Sequence, residues 1–228
     1  MRVEVRDPRS LSRGELGDLY EFFQTAFEAE REGFEQDLRE KHKILTVKSE
    51  GSLDAFTSLR LYRPEPGVRV FFSGDTFVSP QARIGHRLPS LWAQYVFAEV
   101  ASEGTGRDYW LLFCSGYRTY RILPTFFLNY VPTRDSDKAT ELLRLRDHWA
   151  SELFGGRFSN GVVKPRWATP LHCPEPPTRL QNDSTVRFFF ESNPGYRDGE
   201  ELVCLVPLEE GNLTPAGRRL VSRGVAIS

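Results

Sequence analysis

Only three cysteines occur in 228 residues, Cys114, Cys173 and Cys204, and no two of them stand as C-x-x-C. An odd number at wide spacing builds neither a disulfide framework nor a zinc site. Long apolar runs are absent as well. No stretch approaches the ~18 residues of a membrane span, and the first stretch, MRVEVRDPRSLSRGEL, lacks the apolar core of a signal peptide. Net charge is close to nil, −1 from 30 Lys+Arg against 31 Asp+Glu. That balance gives no electrostatic reason to expect nucleic acid or an anionic membrane as a partner. His42, His86, His148 and His172 show neither H-x-x-x-H nor H-E-x-x-H spacing, so no metal is expected. The absence of a Walker loop and of G-x-G-x-x-G sets aside nucleoside-triphosphate and Rossmann chemistry. Repeats and low-complexity tracts are also lacking. What remains is a soluble protein of a reducing compartment, expected in the cytoplasm.

Apolar and aromatic residues, by contrast, are plentiful: 39% and 13% of the chain, enough for a sizeable core. Ser12 and Glu15 stand at capping-box spacing, and Leu16, Leu19, Tyr20, Phe23 and Phe27 follow with the period of an amphipathic helix. A second short helix is expected in EGFEQDLREK. HKILTVKS and LDAFTSLRLYR read as strands joined across EGS, and VRVFFSGDTFV as a third strand after the turn RPEPG. Leu88, Leu91, Trp92, Tyr95, Val96 and Val100 keep helical spacing, with Pro89 in the first turn. YWLLFCS is a buried strand by composition, GYRTYRILPTFFLNY a short helix, and SDKATELLRLRDHWASELFGG a helix stopped by two glycines. Beyond about residue 155 the chain turns Pro-rich and aperiodic. STVRFFFES and EELVCLVPL supply two more apolar segments there, the second strand-like, before a last short helix in LTPAGRRLVSRG. The expectation is one mixed α/β domain, residues 1–228, with a sheet of six or seven strands, helices on both faces and an elaborated C-terminal third.

Between the third strand and the following helix lies FVSPQARIGHRLPSLW, residues 77–92. Strand, short loop and helix in that order present backbone N–H groups to an anion. Val78, Pro80 and Arg83 match the V-x-P-x-x-R opening of the pyrophosphate loop of the GNAT acyltransferase superfamily, and the order of elements over residues 1–133 resembles that family too. The motif's glycines are not kept: Ile84 stands where a glycine is usual, and Gly85 is displaced by one. His86 and Arg87 offer charge where a glycine would offer a close amide approach.

The resemblance implies a GNAT-like mixed sheet and an acyltransferase. It would move an acyl group from acetyl-CoA, acyl-CoA or a related pantetheine thioester to an amine, by direct attack in a ternary complex. Residues 1–133 would be the acyl-CoA-binding half and 134–228 the divergent part. Phe77, Val78, Gln81, Ala82, Arg83, Gly85, His86, Arg87 and Ser115 would hold the cofactor. Asp75 would serve as general base, Tyr117 or Tyr120 would protonate the leaving thiolate, and Arg118 and Arg121 would contact the substrate. The acceptor would be a small amine or a protein N-terminus or lysine, and a homodimer is an assembly that the family allows. The rival is a GNAT-shaped protein without catalysis that binds a ligand or a protein.

Plainer roles stand beside each of these. Asp75 follows Gly74 and suits a turn or bulge; Tyr117 and Tyr120 at i, i+3 suit packing; the arginines suit a solvated face. Cys114 within LLFCS suits the core better than a nucleophile with His148 or His172 as base, since no G-x-S-x-G pattern surrounds it.

Overall fold

Residues 2–79, 81–82, 87–103, 106–134, 139–173 and 175–222 are described in the computed structural model. The chain opens with β1 (Arg2–Arg6) and α1 (Arg13–Gln24), the latter started by the reciprocal Ser12–Glu15 capping box. After β2 (Phe27–Ala29) and α2 (Arg31–Glu40), β3 (Lys43–Ser49) and β4 (Ser52–Tyr62) form a hairpin. Its tight turn puts Glu50 and Gly51 at φ 52° and 85°, the positive angles that match the right-handed twist of the flanking strands. Then come β5 (Val68–Val78), α3 (Arg87–Glu103), β6 (Arg107–Cys114) and two short helices, α4 (Tyr117–Tyr120) and α5 (Ile122–Phe126). α6 (Thr140–Phe154) ends at Gly155, whose φ of 53° suits glycine. The aperiodic third holds β7 (Phe158–Ser159), β8 (Val162–Val163), β9 (Ala168–Pro170) and α7 (Ser184–Ser192), and the chain closes with β10 (Glu201–Pro207) and α8 (Pro215–Val221).

Among the described residues the main sheet has eight strands in the order β1-β3-β4-β5-β6-β10-β8-β7, and β2 pairs with β9 separately. Among the described residues only β5 and β6 pair in parallel, which requires a crossover, and α3 supplies it. Both faces are covered, so the central strands are apolar on both sides. One face packs α3, α5 and α8 around stacked Trp92 and Trp110, ring centroids 4.0 Å apart. At its far end Leu88 and Leu91 of α3 meet Leu45, Val47 and Ala55. The other face carries α1 and α2 over Ile44 and Phe56, and α6 over Val70, Leu111, Val203 and Leu205. α8 needs Gly217, because a Cβ there would lie 2.4 Å from the Phe126 carbonyl oxygen.

A mixed sheet with helices on both faces is the architecture read from the sequence, with eight strands where six or seven were expected. The additions are edge pieces: β1 alternates without a strong apolar face, and β7 and β8 are two residues long. STVRFFFES forms a helix. Asp183 caps it by accepting from Thr185 N and Val186 N, and Val186 and Phe189 are its buried side. β10 comes from the aperiodic third and lies beside β6 in the middle of the sheet, so that third completes the fold.

Candidate functional site

β5 and β6 begin side by side and then part. Their pairing runs from Val68–Arg107 to Ser73–Leu112 and stops there, although β5 continues to Val78 and β6 to Cys114. Past that point β5 follows β4, with Ser58 opposite Gly74 and Phe56 opposite Phe77. Two residues of β5, Asp75 and Thr76, therefore face the single Thr57 of β4. This is a β-bulge, which bends a strand and re-aims its side chains. Asp75 takes φ 46°, a left-handed conformation that Asp and Asn tolerate better than most residues. Asp75 is thus a bulge residue with a half-buried side chain.

The Asp75 carboxylate points to the α2 side of the sheet. Its Oδ2 accepts from Ser58 Oγ at 2.8 Å and lies 3.4 Å from Lys41 Nζ. Lys41 follows α2 and is almost fully buried, 5% exposed. Its ammonium is 2.7 Å from Asp37 Oδ2 and 5.0 Å from the centroid of the Phe72 ring. Burial works against the charge on Lys41, and Asp75 and Asp37 outweigh it, holding its pKa above that of an ordinary lysine. For Asp37, burial and then the charge of Asp75 prevail over the pull of Lys41, and its pKa is pushed up to about 6.

Aromatic rings lie beside this group. Phe72 and Phe113 meet edge-on at 4.7 Å, and Phe154 at the end of α6 lies 5.8 and 5.1 Å from them. Arg157 lies over Phe154 at 5.5 Å. Phe113 faces Val203 in register, and two residues earlier on β10 stands Glu201. Burial, followed by the charge of Asp75, pushes the Glu201 pKa up to about 7 against Lys41 and Arg157. Asp37, Lys41, Asp75, Arg157 and Glu201 thus gather from four separate parts of the chain, on the face opposite α3.

The loop residues behave differently. Pro80, Arg83, Gly85 and His86 lie outside the described residues, as does the Arg87 side chain, although Arg87 opens α3. Ala82 N donates to Ser79 O at 3.0 Å, and Ser79 Oγ donates to Gln81 Oε1 at 2.8 Å. Val78 and Ala82 face α3, whereas the Phe77 ring packs at 4.9 Å against Phe22 of α1 on the opposite face. Where β6 ends, half-buried Ser115 leads into α4. Tyr117 is buried, and its hydroxyl accepts from Arg118 Nε at 3.3 Å. The Tyr120 hydroxyl donates to the Pro132 carbonyl at 2.8 Å, which commits its proton, and burial first of all raises its pKa. Arg118 is exposed and Arg121 half-buried. Cys114 is fully buried, 3.8 Å from Cys204 Sγ, and burial pushes its thiol pKa well up, as suits a core residue.

Sequence reasoning reached Asp75 and missed Asp37, Lys41, Arg157 and Glu201. For Asp37 and Lys41 there was a readable signal, an i, i+4 acid–base pair at the end of a short helix, but such pairs are common on exposed surfaces. Glu201 had none, since it opens an apolar strand where a polar residue is unremarkable. Among the described residues no group of three or more His, Cys, Asp and Glu could hold a metal ion, and no helix is long and apolar enough to cross a membrane.

No protein-family model and no curated protein matches the sequence. Solved structures do resemble its fold. A conserved protein of Enterococcus faecalis V583 named a probable N-acyltransferase is 20% identical over 55% of this chain, with a TM-score of 0.40, and the match spans 32% of that protein's length. N-acetylglutamate synthase from Neisseria gonorrhoeae, solved with coenzyme A and L-arginine, is 19% identical over 55% of this chain and 27% of its own, with a TM-score of 0.36. A GNAT-family protein from Desulfovibrio desulfuricans is 10% identical over 91% of this chain and 99% of its own, with a TM-score of 0.40.

Proposed function

We propose that this protein is a GNAT-type acyltransferase that moves an acyl group from acyl-CoA, or a related pantetheine thioester, to an amine by direct attack. One observation carries the proposal: β5 and β6 cease pairing after Ser73–Leu112, and the bulge that bends β5 away sets Asp75 beside the gap. A parallel pair that ceases in mid-sheet leaves backbone groups of the two strands without each other as partners. An extended amide-bearing arm suits these groups, since its amides pair with the strand edges as another strand would.

The faces on either side of the gap differ in the way the reaction needs. Val78 and Ala82 pack with α3 on one face, and the pyrophosphate is assigned to that side. The carboxylates lie on the other, where an amine would arrive. A thioester carbonyl held in the gap meets the amine nitrogen near Asp75, which takes up the ammonium directly or through water, and Tyr117 protonates the departing thiolate. Tyr120 is the weaker candidate for that step, because its proton is engaged by Pro132. Positioned acid–base groups of this kind contribute about 10²–10⁴-fold.

Calorimetric titration with CoA and acetyl-CoA tests the first half, and mass spectrometry of amines incubated with acetyl-CoA tests the second. Saturable binding with transfer to nitrogen is expected. No heat, no competition and no product at millimolar CoA would remove the proposal.

A further inference from the structure

We propose that Lys41 is a positioning residue for the acyl transfer: it anchors one oxygen of the Asp75 carboxylate and so presents the other to the acceptor ammonium. The inference rests on the acyl-transfer reading and gives that site a residue from outside the strand that carries the acid. Two contacts hold the Asp75 side chain by the same atom. Ser58 Oγ donates to Oδ2 at 2.8 Å, and Lys41 Nζ lies 3.4 Å from Oδ2. Among the described residues no hydrogen bond is given to Oδ1. The bulge sets the main chain at φ 46°, and the two contacts on Oδ2 restrict the side-chain torsions that the main chain leaves open.

Lys41 is itself held in place. It is the first residue after α2, is 5% exposed, and reaches from that helix to β5. Asp37, one helical turn earlier, holds its ammonium at 2.7 Å, and the Phe72 ring centroid lies at 5.0 Å. On the strand side Gly74 makes the room: a Cβ there would lie 3.3 Å from Nζ, whereas its next neighbours, Phe72 Cε2 and Ser58 Oγ, would be at an ordinary 3.7 Å. An ammonium gripped by a helix acid and seated against a glycine has little freedom, as a group that orients another requires. Its charge persists despite burial, because Asp75 and Asp37 outweigh that cost. One ammonium between two carboxylates leaves one negative charge in excess, which an arriving ammonium cancels.

The step balances as follows. One N–H bond of the acceptor ammonium breaks and its proton goes to Asp75 Oδ1. The freed nitrogen pair forms the C–N bond at the thioester carbonyl, and the C–S bond breaks with its pair going to sulfur. Tyr117 protonates that sulfur and recovers a proton from the new amide nitrogen. The proton on Oδ1 leaves to water with the products, and Lys41 keeps its own throughout.

The test compares wild type with Lys41→Met, the double variant Lys41→Met with Asp37→Asn, and Gly74→Ala. The donor is acetyl-CoA, the acceptor is the primary amine that the mass-spectrometric screen shows to be acylated, and the pH lies above the Asp37 titration at about 6. Lys41→Met keeps the reach of the side chain and drops the cation. Its kcat should fall about 10²-fold with acetyl-CoA affinity unchanged, and it should also lose stability, because two carboxylates then face each other. The double variant separates the two effects. It carries one negative charge in excess, as wild type does, so its urea midpoint should return towards wild type while kcat stays low and KM for the amine is unchanged. Gly74→Ala keeps every charge and crowds Nζ, so its kcat should fall too, by about tenfold. Wild-type kcat in the double variant shows that Lys41 only balances charge, and overturns the assignment while leaving acyl transfer standing. Should neither Lys41 variant fold, an unchanged kcat in Gly74→Ala overturns it in the same way. Absence of acetyl-CoA binding in wild type fails the acyl-transfer reading itself, and the Lys41 assignment falls with it.

Discussion

The two ends of the β5–β6 pair both hold buried ions, and they are built on opposite principles. At the closed end Arg69 and Asp108 are direct neighbours in register, and the guanidinium meets the carboxylate through Nε at 2.6 Å and Nη2 at 3.0 Å. The remaining donors of Arg69 reach the Glu99 and Val100 carbonyls near the end of α3, where a cation also suits the helix dipole. At the open end one lysine stands between two carboxylates, and a third, Glu201, has no bonded partner among the described residues. Saturation at one end fastens the strands together. Incomplete satisfaction at the other leaves charge that a ligand can complete. A buried ion is thus a structural rivet or a chemical group according to whether its hydrogen-bonding capacity is filled.

That contrast breaks first at Arg69. Arg69→Ala strands Asp108 without its cation and should destabilise the fold by about 3–5 kcal/mol, a large share of a typical total of about 5–15, as read by urea denaturation. Asp75→Asn should behave in the opposite way. The side chain keeps its shape and its tolerance of positive φ, so stability should change by less than about 1 kcal/mol, whereas acyl transfer at limiting amine should fall about 10²-fold or more. A comparable loss of stability in Asp75→Asn would show that both ends are structural.

The pH dependence of stability sharpens the contrast further. Asp37 and Glu201 have pKa values raised to about 6 and about 7, so the folded chain keeps protons that the unfolded chain releases above about pH 4. Their contribution to stability is complete below that pH and is lost as pH rises through about 6 and about 7. Relative to Glu201→Gln, wild type should therefore lose on the order of 1–3 kcal/mol between pH 4.5 and pH 8, measured as urea midpoints at each pH. Arg69→Lys against wild type should show no such slope, because neither cation titrates in that range.

Smaller effects are expected away from both ends. Thr214 caps α8 through Gly217 N at 3.1 Å, so Thr214→Ala should cost about 1 kcal/mol in thermal unfolding. Cys114→Ala should leave the rate of acyl transfer within about threefold, provided the shrunken core still folds, because direct attack uses no thiol. A loss of several hundredfold with the fold intact would favour a thioester-forming enzyme instead.

Elements with a strong local signature were readable without coordinates: the capped helix α1, the β3–β4 hairpin, the apolar strands β5 and β6, and α3 with Pro89 in its first turn. Each has a period or a turn chemistry that fixes it within about ten residues. What escaped the sequence is set by distant pairing. β1 exists because β3 offers it an edge, and β8 and β7 because β10 offers the edge that faces away from β6. α7 shows three consecutive phenylalanines, a run that carries no period, and only its Asp183 cap and its packing against the sheet decide the matter. The site divides in the same way. Asp75 could be reached by its place on a strand before a loop, but Lys41 and Glu201 are 34 and 126 residues from it and are brought to it only by the folded sheet.

The left-handed backbone at Asp75 has a consequence for how this site can vary. Only Asp, Asn and Gly sit easily at φ 46°, so Asp75→Glu, which looks conservative, would disturb the main chain as well as lengthen the acid. The two substitutions that the backbone does welcome both discard the charge, and a single-nucleotide change produces either of them from an aspartate codon. On the proposed acyl transfer, mutation at this position therefore tends towards a protein that keeps its shape but has lost its chemistry. On that reading a chain without transfer is one step away, whereas one with a different acid at this place must first rebuild the bulge.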